Sequence, residues 1–164
     1  GIASATVRFK NVGEFALETA QAMVKTAGNT PLKVHADSTL NNGNVDVRIT
    51  FNPAQMTKTI NLSASTVSSK ASTIKSFFSK WYDNKTQVIS FAQQGDFGMT
   101  VEIAVKLDKD LNNETLLFYS YDKAINTYKI IRNADYRIDT NGYVHFHTLL
   151  AGDIIITDKL LANK

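Results

Sequence analysis

Thr100-Val101-Glu102-Ile103-Ala104-Val105-Lys106-Leu107 alternates without a break. Val101, Ile103, Val105 and Leu107 are apolar, and Thr100, Glu102, Ala104 and Lys106 stand between them. A period of two marks a strand with one face in a core and the other in water. The same period recurs upstream. Leu32, Val34 and Ala36 alternate with Lys33, His35 and Asp37, and Val45, Val47, Ile49 and Phe51 alternate with Asp46, Arg48 and Thr50. Asn41-Asn42-Gly43-Asn44 between these two runs is a hairpin turn signal.

The rest of the chain fits around these strands. Residues 6–10 read as a short strand. Residues 14–27 read as a helix, with Ala16, Ala20, Met23, Val24 and Ala27 on one stripe. Gly28-Asn29 stops it and Pro31 prevents its resumption. Asn52-Pro53 breaks the hairpin, and Thr59–Leu62 is a further short strand. Ser63–Ser72 is rich in Ser and Thr and reads as a linker or insertion. It feeds a second helix, in which Ile74, Phe77, Phe78 and Trp81 share one face, ended by Asp83-Asn84. Val88–Phe91 and a Gly95–Gly98 turn lead into the quoted strand, and the polar loop Asp108–Asn113 follows it. Leu116–Tyr121 and Thr127–Ile131 read as a hairpin around Asp122–Asn126. Tyr136–Asp139, the turn Thr140-Asn141-Gly142, Tyr143–Thr148 and Asp153–Thr157 complete a meander. About nine or ten strands result, near the number that forms a sandwich. The expected class is mainly β (α+β), a β-sandwich-like body with two helices. One module over 1–164 is expected: a helix-plus-hairpin half (1–62), a polar insertion with a helix (63–85) and a β-meander half (86–164).

Composition narrows the chemistry. The chain has 164 residues, 43% of them apolar, with 18 Lys plus Arg against 15 Asp plus Glu. Such a length suits one domain. Its aliphatic runs, such as Ile154-Ile155-Ile156, fall far short of the ~20 residues of a membrane helix, so no membrane insertion is expected. No cysteine is present, which excludes disulfides, thiolate metal sites and a cysteine nucleophile. The basic residues are scattered among acids, so no nucleic-acid footprint is read. Thr (17), Asn (14) and Ser (11) greatly outnumber Glu (4). Thr favours strands and Asn favours turns, a balance suited to a β-rich, secreted type of chain.

Phe91-Ala-Gln-Gln-Gly95-Asp-Phe-Gly98 leads into the quoted strand. Then come Leu117-Phe-Tyr-Ser-Tyr-Asp-Lys-Ala-Ile-Asn-Thr-Tyr128, Asp139-Thr-Asn-Gly-Tyr-Val-His-Phe146 and Gly152-Asp-Ile-Ile-Ile-Thr157. This series resembles an accessory β-module of secreted or cell-surface, cellulosome- or dockerin-associated proteins of anaerobic fibre-degrading Gram-positive bacteria. The first half is similar too, through its helix, its hairpin and Ile60-Asn-Leu-Ser63. The segment 63–85, with Trp81, is the least family-like part. The resemblance implies an extracellular, non-catalytic role in adhesion to, or degradation of, plant polysaccharide such as cellulose, hemicellulose, pectin or starch. Neighbouring domains of the same polypeptide would be further partners. The alternative is a structural or protein-interaction spacer.

Sugar rings present an apolar C–H face on which aromatic side chains stack, while polar neighbours bind hydroxyls. With Phe118 and Phe146 in the core, Tyr119, Tyr121, Tyr143, His145 and His147 are expected to face outward, and Tyr128 to join them across the hairpin. Trp81 and Tyr82 form a second candidate. Trp81 completes the stripe of its helix, so burial is its simpler reading, whereas Tyr82 is freer to be exposed. His145-x-His147 points two imidazoles one way, yet zinc needs more ligands and nothing places His35 nearby. Asp108-x-Asp110-x-Asn112 lacks the Gly and Glu of a calcium loop and reads as a solvated turn. Asp96, Glu102, Asp122, Asp139 and Asp153 single out no catalytic pair. No catalytic residue, metal or cofactor is therefore expected.

Overall fold

The computed structural model describes residues 3–82, 85–112 and 114–161. In chain order its elements are β1 (Ala5–Lys10), β2 (Glu14–Phe15), α1 (Leu17–Ala27), β3 (Leu32–Thr39), β4 (Val45–Phe51), β5 (Ile60–Asn61), β6 (Ala64–Ser65), α2 (Ser69–Trp81), β7 (Thr86–Phe91), β8 (Asp96–Lys106), β9 (Leu117–Asp122), β10 (Thr127–Ile130), β11 (Arg137–Ile138), β12 (Tyr143–Leu150) and β13 (Asp153–Thr157). The architecture is mainly β, with two helices and a sandwich-like body. One sheet runs β1-β3-β4-β8-β12-β11 and the other β10-β9-β13-β7-β6, while β2 and β5 pair by themselves.

The alternating strands lie where their pattern requires. Val101, Ile103 and Val105 of β8 are buried between the sheets with Val47 and Ile49 of β4 and Val144 and Phe146 of β12. Ile89, Phe91, Phe118, Ile154 and Ile156 fill the core from the opposing sheet. Phe118 and Phe146 stack across the gap with ring centroids 4.5 Å apart. Gln87 is buried there as well. Its amide donates to the Lys106 carbonyl at 2.7 Å and accepts from the Asp108 amide at 2.9 Å, tying the two sheets through the main chain.

Several expectations change. The C-terminal strands do not form a meander: β12 pairs with β8 in one sheet, and β13 lies between β7 and β9 in the other. The described residues hold thirteen strands rather than nine or ten; the two-residue strands β2 and β6 are too short to carry a period, whereas β5 lies within the expected strand Thr59–Leu62. Residues 14 and 15 are strand, paired with β5, so α1 begins only at Leu17. The expected linker 63–72 is built into the fold instead. Ala64 and Ser65 pair with β7, and buried Asp46 accepts from the amide and hydroxyl of Thr66 at 2.9 and 2.6 Å. The Gly95–Gly98 turn is already strand from Asp96 onward. Asp83-Asn84, the expected stop of α2, and Asn113 lie outside the described residues.

α2 starts at Ser68, whose hydroxyl accepts the Ala71 amide at 3.1 Å, a side-chain N-cap. Ala71, Ile74 and Phe78 form its buried stripe. They dock on the outer face of the five-stranded sheet, against Val88, Tyr119, Tyr121 and Ile155. The molecule is thereby layered as six-stranded sheet, core, five-stranded sheet, helix.

Candidate functional site

This layering separates the expected aromatic residues into two groups. Tyr119 and Tyr121 do point away from the core, as their alternation requires, but α2 covers that face and leaves them 4% and 5% exposed. Tyr121 packs edge-on to Phe78 at 5.1 Å and stacks on Phe77 at 6.4 Å. Its hydroxyl donates to Asn126 at 2.9 Å, and burial raises its pKa. The Tyr119 hydroxyl accepts the Leu161 amide at 3.2 Å. Tyr82 stacks on Phe78, and half-buried Tyr128 meets Tyr82 and Tyr119 edge-on. These rings are structural packing for α2 and do not present a platform. Trp81 departs in the other direction: it lies at the last residue of α2 and is 55% exposed.

Tyr143, His145 and His147 lie on the opposite side of the molecule, on the outer face of the six-stranded sheet, and all three are half-buried. Register aligns this face in rows. One row runs Asp37, Arg48, Ala104, His145, Arg137; the next runs His35, Thr50, Glu102, His147. Every position of the first row except Ala104 carries a polar side chain. The gap above its methyl group is the floor of a groove of about 250 Å³, walled by Arg48, Tyr143, His145, Asp139 and Asn141.

The walls are held firmly. Tyr143 faces Lys106 across the ladder, and its hydroxyl donates to the Val45 carbonyl at 3.2 Å, so its side chain spans β8 to reach β4. The Lys106 ammonium lies 5.6 Å from the ring centroid. Asp139 organises the turn beneath. One carboxylate oxygen accepts the amides of Asn141 and Tyr143 at 2.8 and 3.0 Å, and the other lies 2.8 Å from His145 Nε2. A carboxylate only accepts, so Nε2 carries the proton. The His145 bond, followed by the two backbone amides, holds the Asp139 pKa below its ordinary value. Gly142, at φ +83°, closes the turn, where a β-carbon would approach the Lys106 ammonium to 3.2 Å. Glu102 stands between the histidines, 3.5 Å from His145 Nδ1 and 3.7 Å from His147 Nε2. Asp37 receives Arg48 through two bonds of 2.7 and 3.0 Å, a bidentate clamp that fixes the guanidinium plane.

Neither Arg48, Ala104 nor Asn141 was singled out as a site residue. The available signal was Ala104 itself, a small residue at an outward position among larger polar ones. His35 lies on the same face, bonded to Thr50 at 2.8 Å. Burial first, then Arg48 and Arg8, lower its pKa. Among the described residues no group of three or more His, Asp or Glu is placed to hold a metal ion. In the expected solvated turn at 108–112, Asp108 takes an ion pair from Lys75 at 3.2 Å. The site offers one aromatic wall and several fixed donors and acceptors over an apolar floor. Comparison with protein-family models, curated proteins and solved structures finds no match to this chain.

Proposed function

We propose that this domain is a non-catalytic carbohydrate-binding module of a secreted or cell-surface protein. The glycan lies on the outer face of the six-stranded sheet, with one sugar unit over Ala104. The observation that carries this reading is the groove left by Ala104 between Arg48 and His145, beside the ring of Tyr143. An aromatic wall and fixed polar groups over a small apolar floor suit a ring with one C–H face and a hydroxyl rim. Tyr143 meets the apolar face. Arg48, His145 and Asn141 meet hydroxyls, and no covalent bond changes.

The test is electrophoresis through gels containing hydroxyethylcellulose, xylan, xyloglucan, pectin or starch. At least one polysaccharide should retard the protein. Ala104→Leu, which fills the groove, and Tyr143→Ala should each abolish the retardation, and Trp81→Ala should not. Migration unaffected by all five matrices refutes binding. Loss with Trp81→Ala alone moves the glycan to the exposed end of α2.

A further inference from the structure

The six-stranded sheet ends at β1, which pairs in parallel with β3 and, among the described residues, with no strand on its other side. The Ala5 amide donates to Pro31 at 2.9 Å and the Asn11 amide to Asp37 at 2.7 Å. In a parallel ladder the N–H and C=O of one residue point the same way, and the direction alternates along the strand. Residues 5, 7, 9 and 11 therefore address β3. Thr6, Arg8 and Lys10 turn their backbone groups to the open edge, where a further strand would pair.

Beside this edge lies a concavity of about 710 Å³. α1 docks on the turn Pro53–Gln55 rather than on β1, which leaves an apolar trough between them. Val7, Phe9 and Leu32 form one side, and Ala22, Met23 and Ala27 the other. The opposite face of the edge is cationic. Arg8 and Lys10 are exposed there beside Lys33, and among the described residues none of the three has a carboxylate within ion-pair distance. The nearby Asp37 is already clamped by Arg48.

We propose that β1 receives an extended segment of another polypeptide as a seventh strand, one in which apolar and acidic residues alternate. Its apolar side chains enter the trough against Phe9 and Met23, and its carboxylates rise beside Arg8, Lys10 and Lys33. Main-chain bonds supply the pairing and the alternating side chains supply selectivity. Charge argues against a second copy of this chain. Antiparallel pairing of two β1 strands centred on Arg8 would set the two guanidinium groups against each other.

A display library of random dodecapeptides, selected on the purified domain, tests this. Enriched sequences should alternate apolar and acidic residues. A synthetic peptide of the leading sequence should shift the amide resonances of Thr6, Arg8 and Lys10. The double variant Arg8→Glu, Lys10→Glu, altered only at exposed positions, should bind that peptide about tenfold more weakly or worse. N-methylation of alternate peptide residues should abolish binding in one of its two phases and not the other. The proposal is overturned by selection without enrichment, by enriched sequences lacking acidic alternation, or by affinity indifferent to the charge reversal. Concentration-dependent shifts of the same amides in the protein alone would assign the edge to self-pairing and overturn it equally.

Discussion

Ala104 and Asp139 show how single side chains shape the groove, one by its smallness and the other by its bonds. Asp139 faces His145 and two backbone amides, which hold its folded pKa below the ordinary carboxylate value. Its stabilising effect is complete above that ordinary value, about 3.9, and disappears as pH falls through the lower folded value. Asp139→Asn should therefore lower the unfolding midpoint at neutral pH. The gap from the parent protein should close under acid, as followed by urea denaturation across a pH series. A gap that persists at the acid end would assign the effect to geometry rather than charge. Tyr128 carries the opposite sign. Burial, then a hydrogen bond with Tyr82, pushes its hydroxyl up to about 12. Its protonated form contributes fully below the ordinary phenol value of about 10 and is lost as pH climbs through about 12. Absorbance titration should show a late-ionising tyrosine that Tyr128→Phe removes.

α2 converts a sheet face that would otherwise be wet into a second core. Its cap is one hydroxyl, so Ser68→Ala should cost about 1 kcal/mol, measured by chemical denaturation. The far end of the helix behaves differently. Trp81, the only tryptophan, touches Phe77 at 6.5 Å between centroids yet remains over half exposed. Its emission should be red-shifted and readily quenched by iodide, and Trp81→Phe should change stability by less than about 0.5 kcal/mol. Blue-shifted, protected emission would contradict the placement of this helix end.

Apolar side chains stack between the two sheets, and the Gln87 amide ties them as well. Phe146 is fully buried against Phe118. Phe146→Ala should cost about 3–5 kcal/mol, read as a lower urea midpoint with an unchanged slope. Gln87→Leu leaves the Lys106 carbonyl and the Asp108 amide without their buried partner. It should cost about 1–3 kcal/mol although it adds no cavity.

Alternation alone was enough to place β3, β4, β8, β9 and β12 and to say which of their residues enter the core, because a strand's period is local. It also put Tyr143, His145 and His147 correctly on a polar face. Covering of that kind of face is not local. Tyr119 and Tyr121 carry the same pattern as Tyr143 and His145, and they are buried because α2, some forty residues upstream, folds over them. Trp81 shared the apolar stripe of α2 but sits at its last residue, where it stays over half exposed. The partition of strands between sheets, the row that sets Arg48, Ala104 and His145 side by side, and the open edge at β1 all depend on pairings between distant segments. Those pairings are chosen by the packing of the whole core, which no single stretch of chain contains.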